Sequence, residues 1–97
     1  MVKIKWLRTA KEDVREAIDY IALDSLKYAE RQLRAIKAKT QVLKTQPRGG
    51  KVVDEFQNVD ILELVEGNYR ITYKVISNEE LHILMVHHGA RKLPRLK

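Results

Sequence analysis

The stretch DILELVEGNYRITYKVISNEELHILMVHHG, residues 60 to 89, decides the architecture. Three segments of it, Asp60 to Glu66, Tyr69 to Ile76 and Glu80 to His88, are rich in Ile, Leu, Val and Tyr. Such residues suit a pleated, half-buried surface. Gly67-Asn68 and Asn78-Glu79 separate the segments with short polar turns of the kind that join neighbouring antiparallel strands. The reading is a three-stranded antiparallel meander. Gly89 ends the last strand, and residues 90 to 97, Ala-Arg-Lys-Leu-Pro-Arg-Leu-Lys, form a basic tail too short for another large element.

Upstream of the meander, Gln46-Pro47-Arg48-Gly49-Gly50 stops whatever precedes it, because proline cannot continue a helical ladder and paired glycines favour a loop. Before that stop, Leu26, Ala29, Leu33, Ile36, Thr40 and Leu43 recur at spacings of three and four, the stripe of an amphipathic helix. Asp24-Ser25 supplies its cap. An earlier helix carries Ala10, Val14, Ala17, Ile18, Ile21 and Ala22 on one side and ends near Asp24. Thr9-Ala10-Lys11-Glu12 has the form of a capping box and is expected to start it. Residues 2 to 7 alternate apolar Val2, Ile4 and Trp6 with Lys3 and Lys5, as a strand with one wet face does. So short a link between the helices predicts an antiparallel hairpin. The expected fold is α+β, a two-helix hairpin packed on a small antiparallel sheet in the order β-α-α-β-β-β, with residues 1–97 as one domain.

Composition narrows the function classes. The 97 residues include no cysteine, which excludes a disulfide framework, a thiolate metal site and a cysteine nucleophile. No apolar run approaches the roughly 20 residues of a membrane span, and Met1 to Lys5 lacks the apolar stretch of a signal peptide. A cytoplasmic protein without a membrane role is expected. Nineteen Lys and Arg against thirteen Asp and Glu give a net charge of +6, which favours an anionic partner, either nucleic acid or an acidic protein segment.

Within the meander, Arg70 falls opposite His87 or His88 on the next strand, and Arg91 emerges just beyond that strand's end. Guanidinium groups beside an imidazole at the open end of a sheet can hold a phosphate or a carboxylate. Lys92 and Arg95 extend the same basic surface, so Arg70, His88, Arg91, Lys92 and Arg95 are the candidate target-binding residues. The simpler reading of His88 is a strand-end residue that hydrogen-bonds the tail. His82 and His87 read as ordinary strand positions, and three separated histidines do not suggest a metal site. No cofactor is expected. Tyr69 and Tyr73 share a face that could stack nucleobases, but core packing is the better reading, because Ile71, Tyr73 and Val75 must receive the helices. Lys27, Arg31, Arg34, Lys37, Lys39 and Lys44 are most simply a solvated face of the second helix.

The strand Tyr69-Arg70-Ile71, the turn after it, and an apolar strand ending Val86-His87-His88-Gly89-Ala90-Arg91, with Pro94 shortly beyond, resemble the ParE branch of the ParE/RelE toxin superfamily. Trp6, Ala10 with Asp13, Tyr20-Ile21 and the stop from Leu43 to Pro47 extend the resemblance over nearly the whole chain. The resemblance implies the toxin of a type II toxin–antitoxin system, which poisons DNA gyrase rather than cutting a bond and is neutralised by a ParD-like or RelB-like antitoxin. Its alternative is the RelE branch, endoribonucleases that cut messenger RNA on the ribosome. On that alternative Arg70 and Arg91 would stabilise the scissile phosphate and His88 would move a proton. Two departures weaken it: those RNases commonly carry lysines where this chain has Ile61 and Glu63, and residues 92 to 97 hold no tyrosine.

Overall fold

The computed structural model describes residues 1–89, and the expected order of elements is present in them. β1 is Lys3–Trp6, α1 Arg8–Ala22, α2 Leu26–Gln41, β2 Lys51–Val52, β3 Ile61–Glu66, β4 Tyr69–Val75 and β5 Glu80–His88. Short 3-10 turns at Val42–Lys44 and Asp54–Phe56 complete the path. No helix among the described residues is long and apolar enough to cross a membrane.

β3, β4 and β5 form the antiparallel meander that their composition predicts. Gly67 takes the first position of the two-residue β3–β4 turn at φ 59°, a conformation that side chains disfavour. The sheet has five strands in the order β1-β5-β4-β3-β2, and it is mixed, because β1 lies parallel to β5. The two-helix crossover carries the chain away before the meander begins, so β1 finds its neighbour in the last strand rather than the next one. β2 adds two residues to the outer edge of β3.

The helices bury one face of this sheet. Ile71, Tyr73 and Val75 of β4 join Leu81, Ile83 and Val86 of β5, Ile36 of α2 and Leu43 in one core cluster. Gln32 is also buried on α2, whereas Leu33 is only half-buried and Leu26 is 65% exposed. The buried stripe of α2 is therefore rotated slightly from the purely apolar one. Ala10 is the buried residue of α1, and Val14, Ala17, Ile18 and Ile21 are half-buried, because the hairpin runs on past the sheet. Its far end exposes Tyr20, Leu23 and Leu26.

The capping box does not form. Leu7 is the N-cap of α1 and no side chain caps it. The Leu7 amide still donates to Ile83 O at 3.1 Å, and Leu7 O already accepts from the Lys11 amide at 3.0 Å, so strand passes into helix at one residue and Thr9 lies inside the first turn. Ser25 does cap α2, with Oγ accepting from the Tyr28 amide at 3.1 Å.

On the other face, Val53, Ile61 and Met85 are buried but lie outside the main cluster. The Asp54–Phe56 turn reaches this face, since Glu55 of that turn approaches Arg70.

Candidate functional site

Which histidine faces Arg70 depends on a single irregularity in the β4–β5 ladder. Tyr73 pairs with Ile83 but Thr72 pairs with Met85, so Leu84 is an extra residue that shifts the register by one. Beyond the bulge Arg70 pairs with His87, and Tyr69 pairs with His88. Neighbouring strand residues point to opposite faces. Arg70 and His87 therefore share the face away from the helices, while His88 is on the helix side against Tyr69. The two rings there meet edge to face, with centroids 5.6 Å apart and planes at 80°.

The candidate residues are thus not gathered into one cluster. Arg70 and His88 are separated by the sheet. Arg91, Lys92 and Arg95 lie outside the described residues.

Arg70 is occupied. Its Nε donates to Glu63 Oε2 at 2.6 Å, its terminal Nη2 contacts the same carboxylate, and Glu55 Oε2 stands 3.9 Å away. Glu63 sits one strand over on β3, in diagonal register, and its side chain is only 14% exposed. Such a charge-assisted fork is a strong form of hydrogen bonding, and it uses the geometry that would otherwise receive a phosphate. In the sequence Glu63 stands out only as a position without lysine, although an acid diagonal to an arginine on adjacent strands is itself a signal of such a fork.

The face carries a second polar set at its other end. Lys5 pairs with His82 across β1 and β5, Lys74 pairs with His82 across β5 and β4, and Lys3 pairs with Glu80. His82 Nε2 lies 2.5 Å from Glu80 Oε2. That bond is the chief reason the Glu80 carboxyl sits below its ordinary range, with the charges of His82, Lys3 and Lys5 acting in the same direction. No group of three or more histidines and carboxylates among the described residues is arranged to hold a metal ion.

Residues of β1, α1 and α2 together line a cleft of about 420 Å³. Trp6, Val14, Leu33 and Ile36 give it apolar walls, and the exposed Lys11 and Lys37 flank it. Beside Val14 on α1, Asp13 ties the helix to the sheet, with Oδ2 accepting the Val86 amide of β5 at 2.9 Å. Burial pushes its carboxyl above the usual range, against the opposing pull of that amide.

The family described as ParE toxin of type II toxin-antitoxin system, parDE, matches residues 4–93. Among curated proteins none matches in sequence. Among solved structures, the fold is similar to a chain of the "Chromosomal ParDE TA system from P. aeruginosa", with a TM-score of 0.73 and 19% identity, over 91% of this chain and 96% of that one. At that identity the likeness shows the fold alone.

Proposed function

This chain belongs to the ParE toxin family of type II toxin–antitoxin systems, and from that premise we propose that it arrests growth by poisoning DNA gyrase until a cognate antitoxin neutralises it. The observation that supports gyrase over messenger RNA is the fork between Arg70 and Glu63. A nuclease arginine must be free to meet charge that develops on the scissile phosphate. Here a carboxylate already takes that role, and His88 is on the opposite face. On this reading residues 1–97 act as one toxin domain in the cytoplasm, the chain cuts no bond and needs no cofactor, and pairing with its antitoxin serves plasmid maintenance. Target contacts come from the basic residues Arg91, Lys92 and Arg95.

The antitoxin we propose is ParD-like or RelB-like, with an acidic amphipathic tail. The cleft of Trp6, Val14 and Leu33 supplies an apolar seat, and Lys11 and Lys37 supply charge for flanking carboxylates. Such a tail folds as it binds. Expressing the chain alone tests the target. A DNA-damage response with gyrase trapped on broken DNA is the expected outcome. Rapid loss of translation with transcripts cut on the ribosome would instead establish the alternative, a RelE-like endoribonuclease.

A further inference from the structure

We infer that the uncovered end of the sheet, where Lys3, Lys5 and Lys74 surround His82, is a contact site for the phosphodiester backbone of nucleic acid. Lys5, His82 and Lys74 form one row across three adjacent strands, and Lys3 stands two residues before Lys5 on the same face of β1. With strands about 4.8 Å apart and a rise of about 3.3 Å per residue, the three lysine Cα atoms make a triangle about 7 to 12 Å on a side. None of the three lysines has an ion-pair partner among the described residues. Glu80, the acid within this row, is engaged by His82 Nε2 at 2.5 Å, and Glu79 lies in the turn at its margin. The patch therefore keeps a positive excess.

Its chemistry separates it from the hairpin cleft. An acidic peptide that folds on binding needs an apolar seat as well as charge, and the row has no such seat, since its neighbour Ile61 on β3 is buried. A flat lysine patch without a base-reading pocket suits phosphate oxygens, which are recognised by charge and carry no sequence information. Binding here does not depend on the gyrase reading, because gyrase and the ribosome both present nucleic acid.

The test is fluorescence anisotropy with a labelled DNA duplex, an RNA duplex of the same sequence and polyglutamate, each at several salt concentrations. The triple variant Lys3→Gln, Lys5→Gln, Lys74→Gln is compared with Lys27→Gln, Arg31→Gln, Arg34→Gln on the exposed side of α2, which removes equal charge. The strip variant is expected to lose roughly tenfold or more in affinity for the duplexes, and its slope of log K against log salt should fall by roughly 2 to 3. The α2 variant should keep the slope. Whichever duplex binds more tightly identifies the source of the phosphates. Equal losses in the two variants, or no loss in either, overturns the inference, as does polyglutamate binding through these lysines as well as the duplexes do. Amide shifts of the unaltered protein give a reading that needs no variant. Duplex-induced shifts at Lys3, Lys5, Lys74 and His82 support the site, and their absence there refutes it.

Discussion

Glu63 holds Arg70 from the adjacent strand, by a 2.6 Å bond to Nε and a second contact to the guanidinium, and both side chains are largely shielded from water. A shielded pair behaves asymmetrically. Removing one partner leaves the other charge poorly solvated, whereas the pair as a whole adds little over apolar packing. Glu63→Gln should therefore destabilise the fold by about 1–3 kcal/mol, the range for a charged hydrogen bond and its orphaned partner. Urea unfolding of Glu63→Gln, Arg70→Gln and the double variant checks this. A positive coupling energy in the cycle is expected, and additive losses would show that the two side chains act independently.

The core offers a second check on α2. Ile36 is fully buried while Leu33 lines the cleft half-exposed. Ile36→Ala should cost about 2–5 kcal/mol. Leu33→Ala should cost less in folding and more in antitoxin affinity, since its side chain faces the proposed seat. Thermal melts and a titration with the antitoxin tail separate the two effects. A Leu33→Ala variant that bound the tail as the parent does would remove the cleft from the antitoxin site.

Tyr73 and Gly50 constrain each other. The Gly50 amide donates to Tyr73 Oη at 3.0 Å, and a Cβ on Gly50 would come within 2.5 Å of Glu63 O. Tyr73→Phe leaves that amide without its acceptor and should cost about 1–3 kcal/mol. Gly50→Ala must displace backbone and should cost at least as much. Burial holds the Tyr73 hydroxyl above its ordinary pKa. With the folded value raised, the stabilisation is complete below the unfolded value near 10 and is lost as pH climbs through the folded value. Alkaline melts of the parent should steepen in that window, and those of Tyr73→Phe should steepen less.

Asp13 gives a pH dependence nearer neutrality. Its folded pKa is raised, first by burial, so its favourable contribution is largest below the unfolded value near 3.8 and declines as pH rises through the folded one. Asp13→Asn keeps an acceptor for the Val86 amide without the buried charge. The variant should gain on the parent between about pH 3 and about pH 7. Denaturation curves at both ends decide it, and a difference that stayed constant or narrowed would show that ionised Asp13 is not penalised.

The same residues show how much of the fold is legible in the sequence. Alternation and turn chemistry located β3, β4 and β5 within a residue or so, and Ser25 was legible as a cap because its hydroxyl can reach the amide three residues on. Thr9 misled because tertiary strand pairing held Leu7 to β5 and forced the helix to start at once. β2 escaped because two residues carry no period. The Leu84 bulge escaped too, and with it the choice between His87 and His88, since one inserted residue reverses the face of everything beyond it. Gln32 gives no apolar signal because it is polar, although the geometry of α2 buries it.

The same bulge frames the final prediction, which separates gyrase poisoning from RNA cleavage. In a ribosome-dependent nuclease, loss of an arginine that stabilises the transition state should cost about 2.7–4 kcal/mol, or two to three powers of ten in rate. His88→Ala would then weaken toxicity by removing a proton carrier. In this chain His88 packs edge to face on Tyr69, on the side of the sheet opposite Arg70. Its loss should lower stability slightly, through the ring contact, and leave toxicity in a folded variant near that of the parent. Arg70→Ala carries a different expectation, because it leaves Glu63 without its partner. Toxicity should fall only as far as the folded fraction falls, and a lower growth temperature should restore it. Neutralising Arg91, Lys92 and Arg95 together should reduce toxicity without changing the melting point. Growth assays at two temperatures, paired with melts, give all three results. A folded His88→Ala variant that had lost toxicity, with transcripts cut on ribosomes by the parent, would reverse the order of the two readings.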